Sequence, residues 1–386
     1  LRGIFLTKHQ GSRKLTKYFI VYLEVFIMRK KQKSIQKVLA VTVLSLGILQ
    51  LGACGNAQNK EASGTTENTN HQSEAALNNK AEGSSDTKAD SMKSGSVTLN
   101  VMGKDIVYNK VPEKAIAVGY DNAEIMAALD LQDHIIGLTG CMNQPEHCYP
   151  DLYEKLKNIE VLPDGKGKGV PSFETVLSSG SDFVYCLSYH LTSDYIAPEK
   201  DFDDNNIKYY ITSGTYGDKH DINAVYDDIR NIGKIFHVED KSEKLVSEYK
   251  AKVDGITEKV KDKKPVDVFI FDFQDKAGIM TPGGNVFQNE LLKLAGARNV
   301  FEDFKSDFDV ATIEQIIQRN PEYIVLVEYW DKDEAQKKIE YLESLPELAE
   351  VTAIKNKNYI GITGIEYFPS LHNIDSIERI AKAIHP

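Results

Sequence analysis

Phe173-Glu174-Thr175-Val176-Leu177-Ser178-Ser179-Gly180-Ser181-Asp182-Phe183-Val184-Tyr185 can be laid without a gap over Ile313-Glu314-Gln315-Ile316-Ile317-Gln318-Arg319-Asn320-Pro321-Glu322-Tyr323-Ile324-Val325. Each copy reads as a short helix with an early Glu, a turn carrying Gly or Asn-Pro, and an apolar strand. The register continues to Tyr189 over Tyr329 and His190 over Trp330. Apolar matches alone are common among helix-strand units. Matched glutamates, an acidic residue before each strand and a tyrosine after it are harder to obtain by chance. The chain therefore reads as two related lobes.

Working outward, the first lobe spans 96–220. Val97 to Val107 alternates like a hairpin, Ala115 to Gly119 is a buried-strand candidate, and a helix from Ala123 to Leu131 leads to a strand at Ile135–Leu138. Helix Ser172–Ser178, strand Phe183–Leu187 and strand Ile207–Ile211 continue the alternation, which predicts a mostly parallel, helix-covered sheet. Residues 221–264 form a connector with apolar residues at helical spacing and no proline. Its second half, about Asp240 to Asp262, predicts one unbroken helix of ~33 Å. Pro265 ends it, and Val266–Phe273 opens a second αβ series over 265–386. The fold class is α/β: two Rossmann-like lobes joined by a long helix, with a ligand cleft between them.

The front of the chain has a different character. Arg29, Lys30, Lys31, Lys33 and Lys37 follow Met28, then come an apolar run from Val38 to Leu49 and Leu51-Gly52-Ala53-Cys54. Residues 28–53 read as a secretory signal, too short in its apolar part to span a bilayer. Residues 1–27 read as an upstream extension outside the fold. From Cys54 to about residue 95 there is no aromatic residue and almost no branched aliphatic one. Such a segment cannot offset its ordering entropy, and it reads as a tether. The chain carries −11 overall, and residues 1–53 carry ten Lys/Arg against one Glu, leaving −20 on the remainder. Nucleic acid and an anionic membrane face are excluded as partners on that charge. Cys141 and Cys148 sit in one loop; in an oxidising exterior they can close a disulfide, or serve a metal or ligand instead.

Taken together, Leu51-Gly52-Ala53-Cys54, the tether and the lobe–helix–lobe order resemble the helical-backbone substrate-binding lipoproteins of iron-siderophore, haem and cobalamin ABC importers. Lys114–Val118 with Glu124–Leu129 and Ile136–Leu138 is similar to the family's first strand-helix-strand, and Leu291–Val300 resembles its Gly-x-x-Asn-Val stretch. The resemblance implies a lipid on Cys54, cleavage before it, and an extracytoplasmic protein held to the membrane by that anchor only. It implies a monomer that hands cargo to a permease dimer with its ATPase, docking through Glu174 and Glu314. Both are otherwise ordinary solvated glutamates near helix N-termini.

The cleft should be lined by loops leaving the C-terminal ends of the strands. The ligand-binding candidates are Tyr120, Tyr189, His190 and Tyr216 in the first lobe, with the loop Cys141–Tyr149. In the second they are Tyr329, Trp330, Tyr367, Phe368 and His372, with Gln274, Glu328, Asp331 and Glu366 on the same loops. Aromatic rings bracket flat or apolar ligands, and tyrosine and histidine complete the coordination of ferric iron or haem. No cofactor of the protein's own is expected. The cargo is an iron complex of the siderophore type, or alternatively haem or a corrinoid. Only Arg230, Arg298, Arg319 and Arg379 remain to meet an anionic catecholate. A bare transition ion on His147, Cys148 and His190 is a further alternative. Neither a nucleophile beside a base nor a His-Glu-x-x-His motif is present, so no enzyme is expected.

Overall fold

The computed structural model describes residues 95–140, 144–217, 220–274, 276–329 and 333–386. The leader, Cys54 and the tether lie outside the described residues, as do Cys141, Trp330 and Asp331.

The first lobe opens with a hairpin, β1 (Val97–Val101) and β2 (Lys104–Tyr108), paired antiparallel. Met102 and Gly103 at its tip both have positive φ, the geometry that a tight two-residue hairpin needs. Strands β3 (Ala115–Val118), β4 (Ile135–Thr139), β5 (Phe183–Cys186) and β6 (Lys208–Ile211) form a parallel sheet in the order β4-β3-β5-β6. All residues of β3 and β5 are buried, as expected of central strands covered on both faces. Helices α1 (Tyr120–Ala128), α2 (Pro150–Leu156), α3 (Phe173–Ser179) and α4 (Glu199–Asp204) lie between these strands in sequence.

Helix α5 (Asn223–Ile235) packs on the first lobe and leads into α6 (Glu239–Val260), 22 residues long, the predicted connector. Its buried residues Ser242, Val246, Tyr249, Val253, Ile256 and Val260 recur every three or four positions and form one stripe. Gly233 lets α5 and α6 approach, since a Cβ there would lie 2.2 Å from the Ser242 hydroxyl oxygen.

The second lobe repeats the winding. Strands β7 (Val266–Phe271), β10 (Ala297–Asn299), β12 (Tyr323–Glu328) and β13 (Tyr359–Thr363) form a parallel sheet ordered β10-β7-β12-β13. In both sheets the second strand lies outside the first, and the third and fourth follow on the other side. A three-stranded antiparallel sheet of β8 (Phe273–Gln274), β9 (Ile279–Pro282) and β11 (Phe308–Ala311) is added to this lobe. The expected single strand Val266–Phe273 is divided at buried Asp272, and only its first part joins the parallel sheet. The remaining helices are α7 (Phe287–Leu294), α8 (Ile313–Arg319), α9 (Glu334–Glu343), α10 (Thr352–Lys355), α11 (Gly364–Tyr367) and α12 (Asn373–Ile384).

One hydrophobic core runs from the first lobe, past α6, to the inner face of the second lobe's sheet. A second core covers the outer face of that sheet, including Phe269, Phe271, Ile324 and Leu326. Among the described residues, no helix is long and apolar enough to cross a membrane.

Candidate functional site

A cavity of 520 Å³ opens between the lobes. One wall is the loop after β4, where Pro145 starts a single helical turn over Pro145–His147 and Pro150 starts α2. This wall supplies Glu146, His147, Cys148 and Tyr149; the other comes from Thr363, Glu366 and the polar face of α12.

A buried network ties the two walls. Glu124, on α1 and fully buried, accepts from the Tyr149 backbone N–H at 2.7 Å and from His372 Nε2 at 2.7 Å. The Tyr149 ring stacks on the His372 ring with centroids 3.8 Å apart, and its hydroxyl donates to Asp375 at 2.7 Å. His372 Nδ1 faces the same Asp375 carboxylate at 3.3 Å. Burial alone would depress the His372 pKa, but Asp375 and Glu124 outweigh it and raise the imidazole to about 9. His372 is therefore a cation at neutral pH, wedged between the lobes. Nearby Asp121 is pushed up to about 7 by burial, with backbone N–H groups opposing.

The cavity's other cations are engaged as well. Arg379 pairs with Glu366 at 2.7 Å and donates to the Gly361 carbonyl at 2.8 Å, and Lys382 pairs with Glu378 at 2.8 Å. Glu366 is fixed from the other side by the Thr363 N–H and hydroxyl, closing a capping box on α11. His147 differs. Its Nδ1 is buried with no hydrogen-bond partner among the described residues, and burial holds the imidazole below its usual pKa and so neutral.

Of the residues expected from sequence to hold ligand, His372, Glu366 and the loop residues Glu146, His147, Cys148 and Tyr149 line this cavity. Tyr329, Tyr367 and Phe368 gather into one aromatic group, with centroids 5.6–6.4 Å apart. The Tyr329 hydroxyl donates to Asp272, whose pKa burial raises to about 7 against the opposing Tyr329 and Lys338. Tyr189 and His190 form the corresponding group with Tyr195, Tyr189 being half-buried. His190 is fully buried and accepts the Leu187 N–H at Nδ1, and burial drops its pKa to about 3, so it serves the loop as a neutral brace. Tyr120 is buried against Tyr153, and Tyr216 is half-buried against the core. Cys148 is a free, buried thiol directed at the Gln144 carbonyl, while its expected partner Cys141 lies outside the described residues. Among the described residues, no three His, Cys, Asp or Glu side chains converge to hold an ion.

Sequence reasoning missed Glu124, Asp375, Glu378 and Lys382. Each sits on a helix whose polar positions read as solvated, and only the pairing of Glu and Lys four apart was legible there.

Glu174 and Glu314 are both exposed in the first turns of α3 and α8. The two helices are built alike. The Ser172 and Thr312 hydroxyls cap them by accepting from the N–H groups of Thr175 and Gln315. Gly180 and Asn320 end them in the left-handed conformation.

With this geometry in place, comparison with known proteins is direct. The profile of the periplasmic binding protein family matches residues 116–365. YvrC of Bacillus subtilis, an uncharacterized ABC transporter substrate-binding lipoprotein, is 27% identical over 291 residues, 73% of this chain and 83% of that one. The vitamin B12-binding protein of Vibrio campbellii is 22% identical over 216 residues, 56% of this chain and 71% of its own. A periplasmic binding protein from Veillonella parvula superposes with a TM-score of 0.68 at 26% identity, covering 75% of this chain and 97% of its own.

Proposed function

We propose that this chain, which belongs to the periplasmic binding protein family, carries a corrinoid in its interlobe cavity. The family makes it a solute-binding protein and not an enzyme. It works outside the cytoplasm, anchored at the membrane, and delivers a small metal-containing ligand to an ABC importer.

The observation that carries the corrinoid reading is the pairing of the cavity's cations. Arg379 and Lys382 already face Glu366 and Glu378, and Glu146 and Asp375 add two further carboxylates. A polyanionic catecholate complex entering there meets four carboxylates and must break ion pairs to find a cation. A corrinoid carries a fringe of neutral amides, which donate to carboxylates and accept from Arg and Lys without separating them. The similarity to a relative named as a vitamin B12-binding protein supports the same choice.

Haem is the second reading, favoured by His147. A neutral imidazole that lines a ligand cavity is suited to an axial position on iron. Titration of the purified protein with cyanocobalamin, haem, a ferric hydroxamate and a ferric catecholate, followed by visible absorbance, separates these. Saturable binding of cyanocobalamin is expected, with little effect of His147→Ala. A haem spectrum lost in His147→Ala selects the second reading. Tight binding of a ferric siderophore without either macrocycle overturns both.

Glu174 and Glu314 are the surface through which the chain meets the importer in this reading. Two carboxylates at equivalent points of two like lobes suit a two-fold partner, and pairing to Arg fixes orientation. Charge reversal at both should abolish uptake while leaving cargo affinity unchanged.

A further inference from the structure

Among the described residues, only five large apolar side chains are notably exposed, and two of them are Leu177 and Ile317, each at 42%. These are equivalent positions of the internal repeat. The whole run agrees: from Phe173 to Gly180 and from Ile313 to Asn320 the sequence of half-buried, exposed and buried residues is the same at every position. Single exposed apolar residues on a surface need no explanation. The same exposure at the same place in both lobes does, because nothing in the packing of either helix requires it: Val176 and Ile316 supply the buried contacts.

Leu177 and Ile317 follow Glu174 and Glu314 by three residues, so each pair lies on one helix face, one side chain above the other. Both helices end just before a strand of their parallel sheet, the order of a crossover in which the helix runs back along the sheet. Their first turns therefore lie toward the strand C-terminal ends, from which the cleft loops leave. Hydroxyl caps and left-handed C-termini hold both helices rigid, so the ridges are presented without ordering cost.

We propose that Leu177 and Ile317 are the apolar anchors of the importer-docking surface. Each enters an apolar socket beside a cationic group, and the two sockets are repeated by the two-fold axis of one membrane-embedded partner. The inference rests on the docking reading of Glu174 and Glu314 and adds the desolvated centre that a carboxylate alone lacks. Charged rims steer and orient, whereas buried apolar anchors hold.

The test uses the full-length lipidated protein in cells that lack their own copy. A photo-crosslinking amino acid is placed at Ser178 or at Gln318, exposed neighbours of the two anchors. Crosslinked products are identified by mass spectrometry, and purified variants are checked for unchanged melting temperature and cargo affinity. In the parent protein both positions should reach an integral-membrane permease subunit, and a probe at Val161, exposed but outside the repeat, should not. Leu177→Ser or Ile317→Ser should each lower the yield about fivefold, and the double variant multiplicatively. If Leu177→Ser with Ile317→Ser leaves the yield intact while Glu174→Lys with Glu314→Lys abolishes it, the anchors are refuted and the glutamate docking stands. Absence of a permease product from both positions of the parent protein overturns the docking reading along with them.

Discussion

The two lobes wind their parallel sheets in the same order but bury them differently. In the first lobe, residues of β3 and β5 pointing to opposite faces belong to one continuous core. In the second, alternate residues of one strand enter separate cores: Val268 and Ile270 face the lobe junction, while Phe269 and Phe271 face the outer side. The added antiparallel sheet and α9 cover that outer side. The repeat therefore preserves the parts that meet something common to both lobes, the strand order and the α3 and α8 helices. It diverges where each lobe only has to cover itself. The junction belongs to neither pattern, since Glu124 comes from one lobe and His372 from the other.

The largest effect should come from breaking that junction. His372→Ala leaves Glu124 fully buried without its cation and should cost about 3–5 kcal/mol in urea unfolding. Arg298→Ala, which opens a half-exposed pair with Asp267 inside the second lobe, should cost less than about 1 kcal/mol. Equal losses would mean that the junction is no more than another surface contact.

Acid–base behaviour sharpens the same contrast. His372 is raised to about 9 in the folded protein. Its contribution is fully present below its unfolded value near 6.5 and is lost as pH rises through 9, about 3 kcal/mol in all. Asp375 faces it with a lowered pKa, and its contribution is lost only on acidification below the usual carboxylate range. Glu124, Tyr149, Asp121 and Arg379 complete the charged and titratable surroundings. Asp121 and Asp272, one per lobe, are both raised to about 7. Their protonated forms favour the folded state, so their contributions are present below about pH 4 and are lost as pH rises towards 7. Stability should therefore fall on raising pH in two arms, a lower one over about pH 4–7 and an alkaline one over about pH 6.5–9. His372→Ala should flatten the alkaline arm, and Asp121→Asn or Asp272→Asn should each flatten part of the lower one. An alkaline arm that survives in His372→Ala would place its origin elsewhere.

A smaller effect than that of breaking the junction compares the two repeated helices directly. Gly180 and Asn320 both have positive φ, 71° and 44°. Gly180→Ala should lower stability by about 1–2 kcal/mol, and Asn320→Ala somewhat less, because Asn already tolerates part of that strain. Thermal melts giving no change at Gly180 would show that the turn relaxes, and that the two helix ends are alike only in appearance.

By itself, the sequence determined the α/β class, the two-lobe repeat, the connector helix and the strands that follow α3 and α8. Each is a local pattern: a period, a cap, or a run of apolar residues that reports which face will be buried. It also marked the loops that reach the cleft, because loop order follows strand order. Tertiary structure alone decided what those faces meet. Glu124 and His372 are 248 residues apart and polar, and nothing in their neighbourhoods separates a solvated carboxylate from one sealed against an imidazolium. The same holds for Tyr149, whose ring and hydroxyl become a lobe contact only once α12 folds over it. Local sequence sets a side chain's direction, whereas its dielectric surroundings and its partner are set by distant segments brought together by the shared core.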